Sequence, residues 1–164
     1  MSIATSEPVV NRLIAGLPRT ARSRLLKRCE PVDMTFGQVL CEPDKPQRNV
    51  YFPLTGFISQ VAPVDRHPPL EMGLIGSEGM LGVTLVLGVG AAPLKGVVQG
   101  SGTALRMTAS QLLQELHACP ALLRALKRYM YVIITQLAQT VDLHLKLTQD
   151  LHLKLTHPLM PIMA

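Results

Sequence analysis

The stretch from Leu70 to Met107, LEMGLIGSEGMLGVTLVLGVGAAPLKGVVQGSGTALRM, limits the fold more than any other part of the chain. Short apolar and β-branched runs stand between glycines, a pattern that predicts tight strands rolled around a core. In its middle, Gly76, Gly79, Gly82, Gly88 and Gly90 surround one apolar run, TLVL. Glycines there let the backbone turn at positive φ or approach another group closely. Followed by a helical turn, they would also offer backbone N–H groups to an anion. Plain turn chemistry is the commoner meaning of such a cluster, and both readings stand at this point.

Before this stretch the period changes once. Leu13, Ile14, Leu17, Leu25 and Leu26 recur at helical spacing on either side of Leu17-Pro18, which predicts a helical pair with Thr20 as N-cap of the second helix. Arg19, Arg22, Arg24, Lys27 and Arg28 make that second helix basic, more often a solvated face than a phosphate contact. From Pro31 the runs VDM, QVLCE and NVYFPLTGFISQVAPV are rich in strand formers and separated by turn-prone CEPDKPQR and DRHPP. An antiparallel barrel, jelly roll or sandwich is expected, with the Pro53 strand starting, bending or lying at an edge there. Glu71 is assigned to strand pairing and Glu78 to a turn, where it can also orient a ligand.

Helices resume after Met107. Thr108 or Ser110 can cap QLLQELHA, and Pro120 opens a long helix. Leu123, Leu126, Met130, Ile133, Leu137 and Thr140 step by three and four, the spacing of a coiled-coil seam. Leu122, Tyr129, Val132, Ile134 and Ala138 form a second apolar stripe, so one face is expected on the β-domain and another on a second copy of the chain. After Val141, DLHLKLT occurs at 142–148 and again at 150–156. Its leucines alternate as in a strand and also fall every four residues as in a helix, and period alone leaves the two open. HPLMPIMA, with its two prolines, reads as a frayed end.

Composition excludes several classes. At 164 residues the chain is long enough for one domain with a true core, and its 48% hydrophobic residues include no run near the ~18 uncharged residues of a membrane span. MSIATSEPVVNRL has no export signal, and the three cysteines (Cys29, Cys41, Cys119) are odd in number and far apart, so a cytoplasmic protein with free thiols is expected. The formal charge of +5 permits nucleic-acid contact without requiring it. No nucleophile, base and orienting group stand in an arrangement that predicts catalysis, and no enzyme activity or cofactor is expected. His144 and His152, eight apart in duplicated sequence, do not make a metal site, and none is expected. His67 lies in a turn, and His117 and Cys119 point different ways on a helix.

Taken in order, NRLIAGLP, NVYFPLTGFISQVAPV, EMGLIGSEGMLG and VVQGSGTALRM leading into the helix after Cys119-Pro120 resemble the sensor domain of the Crp/Fnr transcription regulators, the cyclic-nucleotide-binding-like fold. The resemblance covers residues 11–141. It implies a mainly β protein with flanking helices: an eight-stranded double-stranded β-helix or jelly roll, an N-terminal helical pair and a long C-terminal dimerisation helix. The corresponding boundaries are a helical segment at 1–30, a β-roll at 31–107, a short helix plus dimerisation helix at 108–141 and an irregular tail at 142–164.

The resemblance also places a phosphate cassette on Gly79, Gly82, Val83, Thr84 and Lys95. Cyclic-nucleotide binders of this fold carry Gly-Glu and, roughly ten residues later, an arginine that pairs with the phosphate. Here Val83 follows Gly82, the arginine position falls on Pro93, and the nearest cation is Lys95, a point charge without the bidentate fork. The adenine-binding hydroxyl position falls near Leu137 and Ala138, with Thr135 and Thr140 only nearby. Tight binding of cyclic AMP is therefore not expected, and the effector is unknown. Clustered cysteines of the iron–sulfur branch are lacking. The 23 residues after Val141 hold no winged helix-turn-helix, so DNA contact would need a module that this sequence does not supply. The expected role is the sensor and dimerisation unit of a Crp/Fnr-type regulator; the alternative is a stand-alone module acting through protein contacts or binding a cyclic nucleotide in another way.

Overall fold

The computed structural model describes residues 10–156, with side chains through residue 150. Helix α1 (Arg12–Ala15) and helix α2 (Arg19–Arg28) form the N-terminal pair. Asn11 caps α1, its side-chain oxygen accepting the Ile14 N–H at 3.2 Å. Thr20 is not the cap of α2; it lies in the first turn, and Pro18, whose fixed φ suits a helix start, holds the cap position.

Seven strands follow: β1 (Glu30–Met34), β2 (Val39–Cys41), β3 (Asn49–Pro53), β4 (Phe57–Ala62), β5 (Leu70–Ile75), β6 (Lys95–Gly100) and β7 (Gly102–Thr108). They form two antiparallel sheets, one ordered β1-β7-β3 and one ordered β2-β6-β4-β5. The mainly β jelly roll with flanking helices is thus as expected. Among the described residues, seven strands and two isolated bridges, Pro46↔Ala91 and Tyr51↔Leu81, stand where eight strands were implied. The TLVL run is a 3-10 turn, Val83–Leu87, because left-handed glycines bracket it: Gly82 has φ 101° and Gly88 φ 75°. β3 lies at the edge of its sheet and ends at Pro53, where the missing N–H does least harm.

Two cores explain the nearly continuous apolar run of β3. Successive side chains leave a strand on opposite faces, so Val50 and Phe52 enter a cluster shared with the helices, while Tyr51 enters the cluster between the sheets with Ile58, Leu81 and Val98. Both faces of β3 are covered, and alternation with polar residues would leave a polar group in one of them.

Helix α3 (Ala109–Ala118) starts at a capping box in which Thr108 and Gln111 satisfy each other's backbone N–H groups. Helix α4 (Pro120–Thr156) then runs for 37 residues, about 55 Å, without a break. The irregular tail expected from residue 142 is helical through Thr156: no proline or glycine interrupts it, and the four-residue leucine spacing prevails over the alternation. Residues 157–164 lie outside the described part.

Candidate functional site: a cavity beside a helix face

The glycine-rich segment is held by three neighbours. Glu78 folds back so that its carboxylate accepts the Gly76 N–H at 2.9 Å, the turn role expected of it. Asn11, only 2% exposed, donates through Nδ2 to the carbonyls of Pro53 and Gly79 at 3.0 and 2.8 Å, pinning the segment to the end of β3. Tyr129 of α4 reaches the same place: its hydroxyl accepts the Met80 N–H at 3.1 Å and donates to the Met80 carbonyl at 3.4 Å. Gly79 has to be glycine for this contact, since a Cβ there would collide with the Tyr129 hydroxyl. Burial pushes the phenol up to about 12, so it stays a neutral donor. Neither Asn11 nor Tyr129 stood out in the sequence as a positioning residue, because the partners of both are backbone groups distant along the chain.

Beyond this clamp a cavity of about 160 Å³ opens between the 3-10 turn, the four-stranded sheet and α4. Gly82, Val83 and Thr84 line it, with Gln47, Gln60, Leu81, Pro93, Met130 and Ile133. Gly82 is held at positive φ, and a Cβ would come within 2.7 Å of Val50 Cγ1. Gly79 is not part of the wall and acts instead as the seat of Tyr129. Lys95 does not join the cassette. Alternation along β6 turns Gly96 and Val98 inward and puts Lys95, Val97 and Gln99 on the outer face, where the Lys95 ammonium lies 3.9 Å from Glu42. Ser59 and Glu71 share that outer face, with the Ser59 hydroxyl donating to Glu71 at 2.7 Å.

The sixteen residues around the cavity include no Lys, Arg, His, Asp or Glu. Cys41 is among them, and burial raises its thiol above the usual value. Burial likewise pushes the Cys29 thiol up to about 11, so neither is an activated nucleophile. Among the described residues no three His, Cys, Asp or Glu side chains converge as a metal site.

The faces of α4 divide differently from the expected seam. Leu126 is fully enclosed and Met130 is 8% exposed, both in the core shared with α3 and β3, and Leu123 packs against that core. Ile133, Leu137 and Thr140 are half-buried beside Gln60, Met72 and Leu74 of the same chain. Leu126 and Met130 are therefore spent on the core of the same chain, and Leu123, Ile133, Leu137 and Thr140 are half covered by it. Consecutive residues sit about 100° apart around the helix, so stripes one residue out of phase face different sides, and the one continuous with Leu122 and Leu126 is the one the core absorbs. An exposed stripe lies one residue further on: Tyr131, Ile134, Ala138, Val141 and Leu145, again at steps of three and four, its last two members also flanking Leu70 and Met72 of β5. Ile134, 58% exposed, belongs to this stripe and to the cavity wall.

The basic run on α2 is mostly exposed, as expected, with two of its arginines anchored. Glu115 of α3, only 3% exposed, receives Arg24 Nε at 3.2 Å and Arg28 Nε at 3.3 Å, clamping the two helices together. Among the described residues no helix is long and apolar enough to cross a membrane.

No protein-family model and no curated protein sequence matches the chain. Solved structures do. The c-di-GMP-responsive global regulator CLP of Xanthomonas campestris superposes with a TM-score of 0.66 at 14% identity, over 76% of this chain and 63% of that one. The catabolite activator protein of Thermus thermophilus gives 0.60 at 15%, over 84% and 63%. The N-terminal domain of a transcriptional regulator from Streptomyces coelicolor A3(2) gives 0.55 at 16%, over 94% and 96%. The chain thus spans less than two thirds of the first and second of these structures and nearly all of the third. It has the cyclic-nucleotide-binding-like fold found in Crp/Fnr-type regulators.

Proposed function

We propose that the chain is the sensor and dimerisation unit of a Crp/Fnr-type transcription regulator and has no enzymatic role of its own. One observation carries the reading: Ile134 forms part of the cavity wall and part of the exposed seam on α4. Five apolar side chains in water over two heptads are unfavourable on a lone helix and favourable between two copies packed as a parallel coiled coil. A change in the cavity then shifts Ile134, and with it the packing angle of two helices about 55 Å long. Helix-turn-helix heads carried beyond those helices would be respaced on a two-fold operator, which is how such a unit governs transcription. The effector in this account is not a cyclic nucleotide, because a phosphate against Val83 and Pro93 would lose its hydration without gaining a cation.

The test is a chimera in which a helix-turn-helix module follows Thr156. The reading expects cooperative binding to a palindromic operator, with Ile134→Asp abolishing the cooperativity while the fold persists. Equal operator binding by the parent and Ile134→Asp chimeras would refute it.

A further inference from the structure

The cavity's size and chemistry define a ligand class, an inference that rests on reading this cavity as the effector site. We infer that it takes a small uncharged molecule, about the size of a singly substituted benzene with one hydroxyl or amide group, and rejects anions. Size sets the first limit. Pockets for drug-sized ligands run from about 300 Å³ upward, whereas an apolar cavity of about 150 Å³ holds a benzene-sized guest; this one measures about 160 Å³.

Charge sets the second. None of the lining side chains is ionisable in the acid–base range except the raised Cys41 thiol, and Lys95, the cation expected in the cassette, is on the opposite face of β6 beside Glu42. An anion entering would exchange water for Leu81, Met130 and Ile133 with no countercharge, a cost of several kcal/mol in typical cases. The polar atoms that remain suit a neutral partner. Gln47, 5% exposed, spends Nε2 on the Asn49 carbonyl at 2.6 Å, so its carboxamide offers an acceptor, and Thr84 and Gln60 supply a hydroxyl and a second carboxamide. Met80 and Met130, both buried and unbranched, can repack around an aromatic guest.

The probes are benzyl alcohol and benzoate, nearly equal in size and different in charge, titrated into the whole chain while NMR follows the methyl groups of Met80, Met130 and Ile133. Benzyl alcohol is expected to shift these signals saturably, at least ~10-fold more tightly than benzoate. Leu137→Trp, which fills the cavity from the half-buried side of α4, should abolish the shifts, and the milder Thr84→Val should weaken binding several-fold in a chain that still folds. Benzoate binding as tightly as the alcohol, or no saturable shift in folded protein, would overturn the inference. Mass in solution separates the two claims. A dimer that binds neither probe sinks the ligand class alone, and a monomer that binds benzyl alcohol sinks the dimeric sensor and keeps the ligand class.

Discussion

Replacing Tyr129 by phenylalanine removes one oxygen and leaves the ring, so its effect isolates the link between α4 and the glycine-rich segment. Met80 is 1% exposed, and its N–H then loses its acceptor with no water to replace it. A buried donor left unsatisfied costs about 1–3 kcal/mol. For a chain of this length, about 2 kcal/mol lowers the melting temperature by about 4–8 °C. The pH dependence supplies a second signature. The phenol ionises near 10 in the unfolded chain and about 12 in the folded one, so between these values the unfolded state has shed a proton that the native state retains. Tyr129 therefore contributes stability that is complete below pH 10 and is lost as pH rises towards 12, on the order of 2 kcal/mol in all.

Urea melts of both proteins at pH 7, 10 and 11.5 read this directly. The parent should lose its advantage over Tyr129→Phe across the upper window. Gly79→Ala adds a cycle: its Cβ collides with the hydroxyl first, and the ring carbon Cζ is next at 2.8 Å, so its cost should be smaller in the phenylalanine background. A Tyr129→Phe variant within ~0.3 kcal/mol of the parent at every pH would refute the clamp.

Further substitutions separate the faces of α4 and the sheet. Leu126→Ala empties a fully enclosed core position and should cost about 2–5 kcal/mol in a urea melt, with no change in mass beyond that due to unfolding. Gly82→Ala forces a Cβ onto Val50 at positive φ and should cost more than about 1–2 kcal/mol, whereas the same change at exposed Gly90, with open space around it, should be nearly silent. Lys95→Ala should leave benzyl alcohol binding unchanged by NMR titration, because its ammonium lies across the sheet from the cavity.

Where one periodicity and one environment coincide, the chain could be read directly. The strand run NVYFP, the Thr108 cap and the Pro120 helix start each declare themselves through local chemistry, and all three appear in the fold. The seam on α4 was harder, because two apolar stripes lie about 100° apart and spacing is the same in both. Only tertiary packing decides that Leu126 goes inward and Ile134 outward. Lys95 was misplaced for a similar reason: distance along the chain is blind to strand parity, and one step along β6 moves a side chain to the other face. The clamp from Asn11 and Tyr129 to the glycine-rich segment left no pattern, since backbone acceptors have no residue signature. The helix through the duplicated leucines was one of two readings that the period allowed.

The central claim is that the outward stripe on α4 joins two copies of the chain. Sedimentation equilibrium of the parent and of Ile134→Asp tests it most directly, with circular dichroism confirming that both are folded. The account expects twice the chain mass of 17.9 kDa for the parent and a monomer for the variant. A folded parent that stays at the monomer mass up to millimolar concentration, or a variant that remains dimeric, would contradict it.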